Sequence, residues 1–135
     1  MANGRRRLIL LDTHIWVWAV EHNPKLDRDH VEILQENPDS ISISAVSLWE
    51  VSMLVSKGRI EPRYPLREWF DIATSGFGIA ILPLTTDIAR DAYELPGTFH
   101  DDPADRMIVA TARVHNYLLL SEDSKILEYS HVNAR

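Results

Sequence analysis

Four carboxylates in this chain each stand beside a wall of apolar residues. Leu8-Ile9-Leu10-Leu11 runs straight into Asp12. Glu50 lies inside Val46-Ser47-Leu48-Trp49-Glu50-Val51-Ser52-Met53-Leu54. Asp105 comes just before Met107-Ile108-Val109-Ala110, and Asp123 follows Leu118-Leu119-Leu120-Ser121. A carboxylate against an apolar surface is costly unless something positive compensates it. One shared divalent cation would compensate all of them. Oxygen-only ligands suit a hard ion such as magnesium or manganese. The chemistry this implies is metal-dependent hydrolysis of a phosphate ester.

Each acid also has an ordinary structural role open to it. Asp12 is a good N-cap for a following helix. Asp102-Pro103-Ala104-Asp105 carries a cap, a proline at the first helical position and an acid in the first turn, a pattern capping alone would select. Asp123 suits a turn before Ser124-Lys125. Glu50 has Val46, Ser47, Met53 and Leu54 as its helical neighbours, so it is expected to be partly buried, and a pair with Lys57 or Arg59 is its alternative. The six histidines show no zinc spacing. His14 and His100 lie near the proposed site but read as packing or surface residues, and Trp16, Trp18, Trp49 and Trp69 as core or interface.

The elements that must position these groups follow from periodicity. Leu8 to Leu11, Ile41 to Ile43, Ile79 to Leu82 and Leu118 to Ser121 read as short buried strands. Helices are predicted over Thr13–Val20, Asp27–Glu36, Ser44–Lys57, Leu66–Ser75, Thr85–Glu94, Pro103–Asn116 and Ser124–Tyr129, with Asn23-Pro24, Asn37-Pro38 and Gly58 as stops. Strands alternating with helices give an α/β domain with three layers, a parallel sheet of about four to five strands flanked by helices. Ligands of such sheets bind at the carboxyl ends of the strands. Asp12 and Asp123 belong there.

The chain has 135 residues, enough for one domain with a real core. Residues 8–135 read as that domain and residues 1–7 as a flexible N-terminal extension. Cysteine is absent, which excludes disulfides and thiolate metal sites and fits the cytoplasm. Arg5-Arg6-Arg7 before Leu8 to Val20 has the outline of a signal peptide, but Asp12 and His14 interrupt the apolar run. No segment approaches the roughly 20 apolar residues of a membrane span. The net charge of −6 runs against nucleic-acid binding, unless clustered acids are neutralised by bound cations.

Taken together the segments resemble a known family. Leu10-Leu11-Asp12-Thr13-His14-Ile15-Trp16 resembles the opening of PIN domains. Ser44 to Val51 is similar to their second acidic motif, His100 to Ala112 to the third, and Leu119-Leu120-Ser121-Glu122-Asp123 to the fourth. The likeness runs from about residue 8 to 130 in motif order, and is strongest to VapC-type toxins of bacterial toxin–antitoxin pairs. It implies a magnesium- or manganese-dependent ribonuclease, a homodimer, silenced by a cognate VapB-like antitoxin. Asp12, Glu50, Asp105 and Asp123 carry over as the catalytic and metal-binding acids. Ser121 stands where the family often has Thr, and Asp101 where a basic residue is common. Asp102 reads as a cap. Arg106, Arg113 and Arg5 to Arg7 are candidates to meet RNA.

Other readings fit less well. A haloacid-dehalogenase-like phosphatase needs a second Asp where this chain has His14, and a receiver domain places its Asp after the third strand. The alternative from another class is a PIN-fold module that binds RNA or protein without turnover. Metal-dependent RNA cleavage lost in Asp12→Asn separates the two.

Overall fold

In the computed structural model, which describes residues 8–135, short strands and helices alternate along the chain. Strand β1 (Ile9–Leu11) leads into α1 (Thr13–Val20) and α2 (Arg28–Glu36). Strand β2 (Ile41–Ser44) feeds α3 (Ala45–Ser56), and α4 (Leu66–Ala73) follows. Next come β3 (Ala80–Leu82), α5 (Thr86–Asp91), α6 (Pro103–His115), β4 (Leu118–Leu120) and α7 (Ser124–Leu127).

The strands form one parallel sheet in the order β3-β2-β1-β4. Leu11 pairs with Ile43 on one side and Leu120 on the other, which brings the ends of three strands level. The free edge of β4 is covered by the C-terminal segment. Leu119 N–H donates to the Asn133 carbonyl and Arg135 N–H to the Leu119 carbonyl, both at 2.9 Å. An edge left unpaired there would invite pairing with another chain.

The side-chain period of two in a strand divides the sheet into faces. Ile9, Leu11, Ile43, Leu118 and Leu120 point to one side, where Ile15, Trp16, Val51, Trp69 and Ala73 from α1, α3 and α4 close the core. Leu10 and Leu119 point to the other, against Ile108, Val109 and Ala112 of α6 and Ile126 of α7. Helix α5 lies outside α6, with Ile88 and Ala92 meeting Ala110. This is the expected three-layer α/β sandwich. No helix among the described residues is long and apolar enough to cross a membrane.

Local chemistry sets the helix starts. Asp12, Asp27, Ser44, Thr85, Asp102 and Asp123 each cap a helix with a side-chain oxygen. Helix α3 ends at Ser56, just before Gly58 with φ of 71°. Asn116 turns left-handed (φ 58°) and ends α6 one residue earlier than predicted. Three other boundaries are corrections. Helix α4 stops at Ala73 and gives way to a short 3-10 turn, Ser75–Phe77. Helix α5 stops at Asp91, and α7 stops at Leu127. The edge strand β3 is largely exposed at Ala80 and Ile81, although its sequence reads as buried. The predicted N-terminal extension lies outside the described residues.

Candidate active site

Asp12 leaves the end of β1 and caps α1. Its Oδ1 accepts from the Thr13 N–H at 2.9 Å, and its Oδ2 accepts from the Ser121 hydroxyl at 2.7 Å. The residue is only 8% exposed. Burial pushes its carboxyl above the usual range, against the pull of these two hydrogen bonds. So Asp12 caps, as expected of an Asp before a helix, and also presents a buried carboxyl at the sheet's carboxyl edge.

Glu50 projects from α3, whose buried side follows Ser47, Val51 and Leu54. The Thr13 hydroxyl donates to Glu50 Oε1 and stands 2.9 Å from the Ser47 hydroxyl. A hydroxyl carries a single proton, so Ser47 must be the donor to Thr13. The relay fixes Oε1 and leaves Oε2 without a protein partner among the described residues. Burial is the main cause of Glu50's raised pKa, and repulsion from Asp12 adds to it. Neither Lys57 nor Arg59 pairs with it among the described residues.

Asp105 stands in the first turn of α6, mostly buried. Its carboxyl is pushed up to about 8, first by burial and then by repulsion from Asp12, Asp102, Asp123 and Glu50. Asp102 Oδ2 accepts from the Asp105 N–H at 2.9 Å, so Asp102 is the predicted cap. Asp123 follows β4 and caps α7, accepting from the Lys125 N–H at 2.8 Å. Its own N–H donates to the Ser121 hydroxyl at 3.0 Å. Ser121 therefore ties Asp12 and Asp123 together through one oxygen.

The structure brings Asp105 and Asp123 into one tight group, and it adds a residue read from sequence as packing or surface. Ligand-competent atoms of His100, Asp105 and Asp123 all lie within 4.8 Å of one another. Asp12 and Glu50 border this group closely enough to repel Asp105. No Lys or Arg pairs with Asp12, Glu50, Asp105 or Asp123 among the described residues. A carboxyl pushed up to about 8 by burial and by neighbouring carboxylates is an electrostatic deficit that a divalent cation relieves. The donor set, mainly carboxylate oxygens, fits such an ion.

Two arginines offered to RNA are corrected here. Arg106 donates Nε–H to the Ala92 carbonyl at 2.7 Å, and its Nη1 donates to the carbonyls of Phe99 (2.9 Å) and His100 (3.0 Å). Arg113 holds Asp91 at 2.9 Å and the His131 carbonyl at 2.7 Å. Both guanidinium groups are used inside the fold. Arg5 to Arg7 lie outside the described residues. Thr13, Ser47 and His100 are the site-lining residues that sequence reasoning did not assign. Their contacts cross from one element to another and leave no mark at fixed spacing; only the start of α6 at Asp102-Pro103, just after His100, hints at a fixed loop. His14 is exposed, near the Trp18 ring at 6.0 Å.

Comparison with known proteins places this geometry. The chain is 28% identical over 123 residues to ribonuclease VapC22 of Mycobacterium tuberculosis, spanning 91% of this chain and 92% of that protein. Its fold superposes on VapBC2 of Rickettsia felis, solved bound to a DNA fragment from their promoter, with a TM-score of 0.69 at 22% identity, covering 94% of this chain and 96% of that one. It also superposes on Mycobacterium tuberculosis VapC20, a sarcin–ricin-loop-cleaving toxin, with a TM-score of 0.64 at 14% identity, over 92% and 98% of the two chains. The family model described as PIN domain matches residues 9–132, a stretch that contains the whole acidic cluster and every strand that positions it, and the chain belongs to that family.

Proposed function

We propose that this protein is a metal-dependent endoribonuclease, the toxin of a type II toxin–antitoxin pair. The observation that carries the reading is the uncompensated cluster: burial and four neighbouring carboxylates together push Asp105 up to about 8, with no Lys or Arg side chain paired to the cluster's proposed metal-binding acids among the described residues. The family membership and the ribonuclease and toxin–antitoxin relatives support it. Asp105, Asp123 and Asp12 hold one or two magnesium or manganese ions, with Glu50 at the rim. A bound ion supplies neutralisation of the acids and Lewis-acid polarisation of the scissile phosphate.

The chain's own residues supply the rest. Glu50 Oε2 accepts a proton from the attacking water. Thr13 keeps that carboxylate turned toward the cleft. The water oxygen forms a bond to phosphorus, the bond from phosphorus to the ribose oxygen breaks, and that oxygen takes a proton from solvent. Ser121 holds Asp12 and the Asp123 backbone in one frame throughout.

The partner is a VapB-like antitoxin, and the functional unit is a homodimer. Support comes from the antitoxin complexes among the structural relatives and from Trp49 and Leu84, which are 58% and 50% exposed. The test is cleavage of end-labelled total and transfer RNA with magnesium, with manganese and with chelator. Metal-dependent cuts are expected. Asp12→Asn is expected to lower cleavage by about 100-fold or more while the protein stays folded. Folded, antitoxin-free protein that cuts nothing under any of these conditions overturns the assignment.

A further inference from the structure

His100 Nε2 is out of contact with solvent and has no aligned hydrogen-bond partner, although Asp105 Oδ2 lies 2.9 Å away. A histidine placed to pair with a carboxylate aims an N–H at it. Here the two atoms approach without that alignment. That is the spacing of neighbouring ligands on one small cation, since bonds of about 2.1 Å at right angles put ligand atoms about 3.0 Å apart. Asp123 supplies the third atom, and the three lie within 4.8 Å of one another.

The ring is held in place by the fold alone. Arg106 fixes the carbonyls of Phe99 and His100. The Phe99 ring packs on the His100 ring at 4.6 Å and on Tyr129 at 4.9 Å. Three carbonyls, two rings and one guanidinium therefore orient a single imidazole before any ligand arrives.

We propose that His100 Nε2 is a nitrogen ligand of the cation centre, and that it biases the centre toward a transition ion such as manganese over magnesium. The inference rests on the reading of the acidic cluster as a cation site. The bias follows from donor chemistry. Magnesium prefers hard oxygen ligands and parts reluctantly with water, whereas imidazole nitrogen suits first-row transition ions. A cleft of carboxylates alone would not discriminate in this way.

The test is pulsed electron paramagnetic resonance of the full chain loaded with manganese, with and without histidine labelled with heavy nitrogen. Mn2+ and Mg2+ affinities are then measured on wild type and His100→Gln. The expected spectrum shows a nitrogen coupling that changes with the label and is absent from His100→Gln. In that variant Mn2+ affinity falls about tenfold while Mg2+ affinity falls less than about threefold. Bound manganese without nitrogen coupling in wild type overturns the ligand assignment alone, and so does coupling that survives in the variant. Equal loss of both ions overturns it too, by making His100 an orienting group for Asp105. Failure of wild type to bind either ion overturns the cation reading and this inference with it. The wild-type spectrum decides the question even where the variant does not fold.

Discussion

Asp105 carries an electrostatic strain whose consequences are measurable without RNA. Its carboxyl sits near 8 in the folded chain against 3.8 for a free side chain. Stability from a raised acid is fully present below the lower value and is lost as pH rises through the upper one. Metal-free protein should therefore lose stability between about pH 4 and pH 8. Asp105→Asn removes the charge and keeps the shape. At pH 8 without metal it should raise the thermal midpoint by about 4 °C, for a gain of about 1 kcal/mol. Near pH 4 the gain should vanish. Calorimetry at the two pH values checks both. Thr13 gives a second prediction. Thr13→Val leaves the Ser47 hydroxyl without its acceptor and frees Glu50. It should cost about 1–2 kcal/mol in urea denaturation and lower the cleavage rate. The four carboxylates were legible because each borders or interrupts an apolar run. Thr13 and Ser47 were not, because a hydroxyl relay between positions 13, 47 and 50 exists only after α1 and α3 pack together; His100 was placed near the site, but its approach to Asp105 and Asp123 needs the fold.

At the scale of elements, caps do two jobs. Asp12, Asp102 and Asp123 start α1, α6 and α7, and all three also crowd the same cleft. Capping and catalysis were read from sequence as alternatives, and the fold does not separate them, since a helix that begins at a strand's carboxyl end puts its cap there. Arg106 shows why an arginine's role escapes sequence. Sequence offers it to RNA as a free charge, yet the carbonyls of Ala92, Phe99 and His100 claim it. Arg106→Met should destabilise by about 2–4 kcal/mol, because buried carbonyls lose a charged donor. Arg106→Lys should recover little, since an ammonium cannot reproduce the fork. Chemical denaturation of both variants checks the pair. Helix boundaries slipped by a few residues where no cap or glycine marks them, as at α5 and α7.

The whole molecule reconciles a net charge of −6 with a nucleic-acid substrate. Several of the acids sit in one cleft, where cations, once bound, would reverse the local field that RNA meets. The layered fold was legible from alternating strand and helix periods, and its two cores follow from the sheet's two faces. The exposure of Trp49 was not, because α3 is apolar nearly all round and only the packing shows which side is left over. Val46, Trp49, Leu84 and Met107 line an apolar surface cavity of about 530 Å³. If this face joins two copies, Trp49→Glu should convert a dimer to a monomer by light scattering, with the circular-dichroism spectrum of the folded chain retained and a thermal midpoint that no longer depends on protein concentration. A variant that remains dimeric would exclude the face.

The central claim is that the cluster around Asp105 cuts RNA only when a divalent cation neutralises it. The most direct measurement is the cleavage rate of one mapped RNA by metal-stripped protein as manganese is added, for wild type and Asp105→Asn. Wild type should be silent without metal and reach a saturating rate with it, and the variant should stay at least about 100-fold slower throughout. Cleavage by chelated wild type, or a variant that matches it, would contradict the account.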